Sequence, residues 1–164
     1  MKVAALFSGC GGLDLGFKEA GFEIVWANDI DSDSCKTYRK FIGNHIYEGD
    51  IQNFINHIPS VDVIIGGPPC QSFSLVGKRL EDDKRSSLVI SFYESIKKVR
   101  PKVFLLENVP GLASSKFNHE RIPVFLSKKF EELGYVVEEC EIEDEDTGWN
   151  YWYNIKSKSY EQFS

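Results

Sequence analysis

A cysteine and a carboxyl group each follow a short apolar run in this sequence. Cys70 comes just after Val61–Gly67 and a pair of prolines, and Glu107 ends the run that begins with Val103–Leu106. A thiolate can serve as a nucleophile and a nearby carboxyl as an acid, which together suit covalent catalysis. We therefore predict that these two residues face one substrate.

A glycine-rich turn and two later acids predict a second binding function. The turn Phe7–Gly12 follows the apolar run at the start of the chain, and glycines let a backbone approach a ligand closely. Asp29 comes about 20 residues later, where α/β nucleotide-binding proteins place an acid for ribose hydroxyls. Asp50 ends the third apolar run. Each has a structural alternative, namely a ligand-free turn, a helix cap at Asp29 and a turn residue at Asp50. Together they favour an adenosine-containing ligand.

Short apolar runs alternate with stretches of helical periodicity. The predicted strands are Val3–Phe7, Glu23–Asn28, His45–Glu48, Val61–Gly66, Val103–Glu107 and Val136–Ile142. The predicted helices are Leu13–Ala20, Asp33–Phe41, Ser87–Val99 and Ile122–Leu133. This alternation predicts an α/β fold, a doubly wound and mostly parallel sheet with helices on both faces. Such sheets bind ligands at the carboxyl ends of their strands, where the residues singled out above lie.

Composition restricts the class of protein. The 164 residues, 42% of them apolar, are about one domain's worth. We see neither a signal peptide nor an apolar stretch of roughly 20 residues, so we expect a cytoplasmic protein without a membrane span. The four cysteines form no CxxC pair, which argues against a zinc ribbon, and we expect no metal site. A disulfide framework is not expected in a chain of this size without a secretion signal.

The charge is distributed unevenly along the chain. Residues 131–164 contain ten acids and two lysines, whereas residues 1–130 contain 17 basic and 15 acidic side chains. A basic stretch, Lys78, Arg79, Lys84 and Arg85, follows the cysteine segment. Although such a stretch is most often a solvated loop, its position favours contact with phosphate groups.

These segments resemble the cytosine-5 DNA methyltransferases of bacterial restriction-modification systems. The match includes the Phe-x-Gly-x-Gly-Gly turn, the segment Gly-Gly-Pro-Pro-Cys-Gln and Glu107-Asn108-Val109, and it covers about residues 1–140. The resemblance implies the Rossmann-like fold of S-adenosylmethionine-dependent methyltransferases, incomplete at the C-terminus. It makes residues 1–140 a cofactor-binding and catalytic domain, and it leaves residues 141–164 as an acidic, aromatic-rich tail of uncertain structure.

The resemblance also assigns roles to residues. Asp29 would hold the ribose, Ile30 would lie beside the adenine and Asp50 near its amino group. The full set expected to bind S-adenosylmethionine is Phe7, Ser8, Gly9, Gly11, Gly12, Asp29, Ile30, Asp50, Ile51, Pro69 and Leu88.

On the chemical side, the resemblance implies that Cys70 adds to C6 of a flipped cytosine while Glu107 engages N3 and N4. Glu107 should then have a raised pKa. Asn108 would hold the Pro-Cys turn in place. A mobile loop would close over the DNA, with contacts from Gln71, Ser72, Ser74, Lys78, Arg79 and Arg85.

The sequence departs from the family after its first half. The family continues to a Gln-x-Arg-x-Arg segment and a target-recognition region, whereas residues 141–164 contain no arginine. A split subunit, a truncated gene product and a designed fragment each explain this, and we favour the first two. The expected partners are double-stranded DNA and a second polypeptide carrying the target-recognition region. We expect little methylation from the isolated chain.

Two other functions fit the same residues. The transfer-RNA branch of the cytosine-5 methyltransferases shares these segments, but its residues after Cys-Gln tend to read Pro-Phe-Thr, whereas here they are Ser72-Phe73-Ser74. The second alternative is a non-catalytic module that binds S-adenosylmethionine or a partner protein.

Overall fold

The fold is built around one twisted sheet. A computed structural model of the chain describes residues 1–69, 86–108, 116–117, 120–143 and 150–154, and their side chains within 1–69, 88–107 and 121–138. Within these residues the sheet has seven strands, and a separate two-stranded ribbon accompanies it.

The elements follow one another in largely alternating order. The strands are β1 (Lys2–Leu6), β2 (Glu23–Asp29), β3 (Ile46–Glu48), β4 (Val63–Gly66), β5 (Val103–Asn108), β6 (Lys116–Phe117), β7 (Glu120–Arg121), β8 (Glu139–Glu143) and β9 (Asn150–Asn154). The helices are α1 (Gly12–Glu19), α2 (Ser32–Phe41), α3 (Ser86–Val99) and α4 (Ile122–Glu132), and two short 3-10 helices span Ile51–Asn53 and Ile55–His57.

The strand order is β3-β2-β1-β4-β5-β9-β8. The first five strands are parallel, β9 is antiparallel to β5, and β8 is antiparallel to β9. This confirms the doubly wound, mostly parallel α/β fold. The strand expected over Val136–Ile142 begins later, at Glu139, and β9 was not predicted.

Alternating strand residues supply two cores, one on each face of the sheet. Ala4 and Leu6 pack toward α3 and α4, whereas Val3 and Ala5 pack toward the face that α2 covers. Burying one large apolar side chain contributes roughly 1.5–3 kcal/mol, so both helical layers hold the strands firmly. The predicted apolar face of α3 is confirmed: its members Leu88, Phe92, Ile96 and Val99 all belong to the first core.

The strand register places three candidate residues and one glycine in one row. Leu6 lies opposite Asn28 and Gly66, and Gly66 lies opposite Leu106. One residue further along, Leu6 is followed by Phe7, Asn28 by Asp29, Gly66 by Gly67 and Leu106 by Glu107. The sheet thus brings both predicted sites to the same edge.

Candidate cofactor and catalytic site

The glycine turn, residues Phe7–Gly12, connects β1 to α1. Three of its residues have positive φ, namely Phe7 at 57°, Gly9 at 54° and Gly11 at 91°. This region is unfavourable for Phe7 because of its Cβ, and such strain is characteristic of functional sites. A Cβ at Gly11 would lie 2.7 Å from Ile42 Cγ1, so that glycine is required by packing as well.

Asp29 ties the glycine turn to the end of β2. Its Oδ2 accepts a hydrogen bond from the backbone N–H of Gly9 at 2.7 Å, and its Oδ1 accepts one from the N–H of Asp31 at 2.9 Å. Each carboxylate oxygen has a second lone pair, so both can still accept from a ligand hydroxyl. The proposed capping role belongs instead to Asp31, whose Oδ1 accepts from Ser34 N at the start of α2.

Asn28 fixes the neighbouring loop after β3. It is 1% exposed, and its Nδ2 donates to the carbonyl oxygens of Tyr47 and Gly49 at 2.8 and 2.9 Å. The carboxyl group of Asp50 accepts from Gln52 N at 3.0 Å and caps the following 3-10 helix. The chain beyond β3 is therefore held in place without any ligand.

These strand ends enclose a cavity of about 290 Å³, which we call the small cavity. Its lining residues are Phe7, Asn28, Asp29, Ile30, Gly49, Asp50, Ile51, Gly67, Pro69 and Leu88. Two carboxyl groups thus face the same space as several apolar side chains, among them Ile30, which is 72% exposed. Carboxyl groups that accept hydrogen bonds, beside apolar side chains, suit a ligand with a flat heterocycle and with amino and hydroxyl groups.

The second depression, which we call the large cleft, lies over β1, β4 and the first turns of α1. It has a volume of about 920 Å³, and its rim includes Phe7, Ser8, Gly12, Gly67 and Glu107. Ser8 and Gly12 therefore face this cleft, whereas Gly9 and Gly11 line neither space and shape the turn.

Glu107 occupies space that a side chain at position 67 would fill. A Cβ on Gly67 would lie 2.6 Å from Glu107 Oε2. Burial raises the pKa of the Glu107 carboxyl, in the direction that the sequence predicted. Burial at the edge of the large cleft thus stabilises the neutral form of this carboxyl group relative to an exposed one.

Several predicted residues lie outside the described part of the chain. These are Cys70 and the loop residues Gln71, Ser72, Ser74, Lys78, Arg79 and Arg85. Pro69, which directly precedes Cys70, lines the small cavity. The backbone of Asn108 ends β5, but its side chain is not described.

Sequence reasoning missed three residues that shape this site. Asn28 gave no signal besides its place before Asp29, and Gly67 was quoted only as part of a strand end. Asp14 carries a buried carboxyl in the large cleft, and its position in an apolar helix face was the only available hint.

Across the described ranges, no helix is long and apolar enough to cross a membrane. The same residues contain no cluster of three or more His, Cys, Asp or Glu side chains able to hold a metal ion.

The sequence model of the C-5 cytosine-specific DNA methylases matches residues 1–147. The chain belongs to this family. The Type II methyltransferase M.NgoFVII of Neisseria gonorrhoeae is 45% identical over 142 residues, which cover 84% of this chain and 37% of that relative. This chain spans less than half the length of the curated relatives it matches first.

Solved structures support the family fold. A candidate DNA modification methyltransferase encoded within an E. coli prophage superimposes with a TM-score of 0.78 and 30% identity, covering 98% of this chain and 48% of that chain. The Dnmt2 methyltransferase of S. pombe gives a TM-score of 0.76 at 24% identity, covering 96% of this chain and 50% of that chain, a likeness of fold alone.

Proposed function

We propose that this chain binds S-adenosylmethionine and provides the catalytic half of a DNA cytosine-5 methyltransferase. One observation carries the proposal beyond family membership: Phe7 and Gly67 line both the small cavity and the large cleft. A cofactor in the small cavity would therefore adjoin the space that contains the Glu107 carboxyl. Methyl transfer needs this adjacency between donor and substrate.

The small cavity would hold the adenosine part of the cofactor. Asp29 would accept hydrogen bonds from the ribose hydroxyls through its remaining lone pairs. Asp50 would face the adenine amino group, while Ile30 and Leu88 would cover the ring. When bound, S-adenosylmethionine supplies an electrophilic methyl group.

Cys70 and Glu107 would activate the cytosine ring. The Cys70 thiolate would form a bond to C6, and the proton of Glu107 would move toward N3, so that electron density collects at C5. As C5 forms its bond to the methyl group, the bond from that methyl group to the sulfonium sulfur would break and S-adenosylhomocysteine would be the leaving group. N3 would then return its proton to Glu107, and a base would remove the C5 proton. The C5–C6 double bond would then re-form as the C6–S bond breaks and releases the thiolate.

DNA would be bound by the segment after Cys70, with Gln71, Ser72 and Ser74 at the extruded base. Lys78, Arg79 and Arg85 would contact phosphates. We propose that Asn108 holds the Pro-Cys turn. We further propose that a second polypeptide supplies target recognition, because residues 141–164 contain no arginine for the family's substrate-contacting segment.

Two measurements test this proposal. Calorimetry with S-adenosylmethionine should show one site per chain, and absence of binding would refute the cofactor assignment. The assay uses the complemented enzyme, that is, this chain together with the proposed second polypeptide. Duplex DNA containing 5-fluorocytosine should form a covalent adduct with it when S-adenosylmethionine is present, and Cys70→Ser should form none.

The same assay separates the alternatives. If a covalent adduct formed with fluorocytosine-containing RNA but not with DNA, the substrate would be RNA. Retention of biological function by Cys70→Ser would favour a non-catalytic module that binds the cofactor or a partner protein.

A further inference from the structure

A buried carboxyl group lies beneath the glycine turn. Asp14 belongs to the first turn of α1 and is 1% exposed, although the residues around it in the large cleft are mostly apolar. Its Oδ1 accepts a hydrogen bond of 2.7 Å from the Tyr38 hydroxyl. Burying a carboxyl group costs free energy unless it is hydrogen-bonded, so this carboxyl depends on its neighbours for hydrogen bonds.

Tyr38 connects this carboxyl to the surface. Its side chain is fully buried, and its hydroxyl lies 3.0 Å from Nε2 of the partly exposed His45. Its ring also lies against the glycine turn, since a Cβ on Gly11 would be 2.9 Å from Tyr38 Cδ2. Asp14, Tyr38 and His45 thus form a continuous hydrogen-bonded chain, which we call the Asp14 network.

Within the described residues, the second oxygen of Asp14, Oδ2, is buried without a hydrogen bond of good geometry, and the Ser8 hydroxyl lies near this carboxyl group. The Ser8 hydroxyl donates to the Ala5 carbonyl at 3.2 Å, yet it is near enough to Asp14 to lower the pKa of that carboxyl. A neutral Asp14 can donate from Oδ2 to Ser8 Oγ, which leaves the Ser8 bond to Ala5 intact. An ionised Asp14 requires a donor, and the Ser8 hydroxyl can supply one if it turns away from the Ala5 carbonyl.

We propose that Asp14 and Tyr38 are positioning residues of the cofactor site, and that the charge on Asp14 controls both the Ser8 end of the glycine turn and its affinity for a cationic ligand. This inference rests on the proposed function, because the ligand in question is S-adenosylmethionine. That cofactor carries a net positive charge, whereas its demethylated product S-adenosylhomocysteine does not. The ionised carboxyl therefore favours the methyl donor over the product.

The charge on Asp14 changes within an accessible pH range. Burial raises the pKa of Asp14 to about 6, the negative charge of Asp29 adds to the rise, and the Tyr38 and Ser8 hydroxyls oppose it. At the other end of the network, burial and the positive charge of Lys18 lower the pKa of His45. The ionised form of Asp14 therefore becomes the main one as the pH rises above about 6.

Backbone NMR of the full chain tests the network without any ligand. The amide signals of Ser8–Gly12 should report one ionisation with a midpoint near the pKa of about 6. Asp14→Asn mimics the neutral acid and should abolish it. Tyr38→Phe removes a donor to the carboxylate and should move the midpoint to higher pH.

Tyr135→Phe is the matched control. The Tyr135 hydroxyl is also buried and donates to the Pro101 carbonyl at 2.7 Å, but it packs on the face of α3 and α4. This variant should keep the wild-type midpoint. Identical titration of the turn in wild type and Asp14→Asn, or an unchanged midpoint in Tyr38→Phe, would overturn the proposal. If Asp14→Asn fails to fold, Tyr38→Phe decides the question alone.

Cofactor affinity provides the second measurement. Between pH 5 and 7.5, affinity for S-adenosylmethionine should rise about threefold more in wild type than in Asp14→Asn, and S-adenosylhomocysteine should show no such difference. The comparison between variants removes the contribution of Glu107, which faces the same cleft. Equal rises in the two proteins would contradict the proposal. Absence of binding at every pH would refute the proposed function instead, and the NMR titration would still decide the network.

Discussion

The proposed cofactor end and the proposed catalytic end of the site hold their carboxyl groups differently. At the cofactor end, both oxygens of Asp29 accept backbone N–H bonds, and Asn28 fixes the adjoining loop through two further bonds. At the catalytic end, Glu107 lies in a space left by Gly67, and burial raises its pKa. The proposed cofactor end is therefore preorganised by hydrogen bonds, whereas at the proposed catalytic end the carboxyl group depends on free space and on burial that raises its pKa.

The contrast is tested most severely at Glu107. In the complemented enzyme, Glu107→Gln should lower methyl transfer by about 10²- to 10⁴-fold, because glutamine can hydrogen-bond to N3 but cannot transfer a proton. S-adenosylmethionine affinity measured by calorimetry should change little. A variant that retained wild-type turnover would remove the acid role.

The pH dependence of Glu107 has a defined sign. Its raised pKa means that the folded chain binds this proton more tightly than the unfolded chain does. The resulting stabilisation is complete below the ordinary pKa and is lost as the pH rises through the raised one. Methyl transfer should fall over the same pH range, because the ionised carboxyl group cannot give a proton to N3. The pH–rate profile of Glu107→Gln should lack this decline.

Gly67→Ala tests whether free space positions the acid. The new Cβ would displace Glu107 Oε2, while the backbone at Gly67 lacks a positive φ that would strain alanine. We expect methyl transfer to fall roughly 10- to 100-fold with little loss of stability, because small misplacements of a catalytic group are costly.

Gly16→Ala is the control for that variant. A Cβ at Gly16, inside α1, meets no atom within 4 Å, and alanine favours a helix by roughly 1 kcal/mol. Gly16 lines the large cleft too, but a Cβ there would not reach Glu107, so the midpoint of thermal unfolding should stay or rise and turnover should remain near that of the wild type. If both glycine variants lost activity equally, the contact with Glu107 would not be the cause.

Asp29→Ala tests the cofactor end. Loss of a charged acceptor should weaken S-adenosylmethionine binding by about tenfold or more in calorimetry, since hydrogen bonds to charged groups contribute roughly 1.5–3 kcal/mol. Asp33→Ala is the matched control: its carboxyl is 89% exposed and pairs with Lys36 at the surface. Equal affinities for the two variants would contradict a cofactor role for Asp29.

Asn28→Ala should have the smallest effect on binding. It leaves the Tyr47 and Gly49 carbonyls without their donor, which should lower the free energy of unfolding by about 1–3 kcal/mol in urea titrations. Exposed Asn56 provides the control, because Asn56→Ala removes only a surface bond from Lys98. An Asn28 variant as stable as the control would show that the loop does not need these bonds.

Local pattern was sufficient to predict most of the fold. The spacing of Leu88, Phe92, Ile96 and Val99 predicts one helix face, and α3 buries that face against the sheet. Strand β9 was missed because Tyr151, Trp152 and Tyr153 give no alternation of polar and apolar residues. Its place depends on pairing with β5, a contact between distant parts of the sequence.

The site was predictable where residue type alone indicates chemistry. Asp29 and Asp50 stand out as acids after strands, and both line the small cavity. The contact of Gly67 with Glu107 joins residues on different strands, so no spacing rule contains it. The Asp14 network was equally hidden, because it needs α1, α2 and the start of β3 to meet.

Strand β9 has a consequence for how the protein emerges from the ribosome. Glu107 lies opposite Tyr153 in the register of β5 and β9, although translation produces residue 153 long after residue 107. Strands β1 to β5 can pair in the nascent chain while the outer edge of β5 still has unsatisfied backbone groups. Premature termination before residue 150 would therefore leave the backbone groups of β5 unpaired beside Glu107 and expose the polypeptide to aggregation.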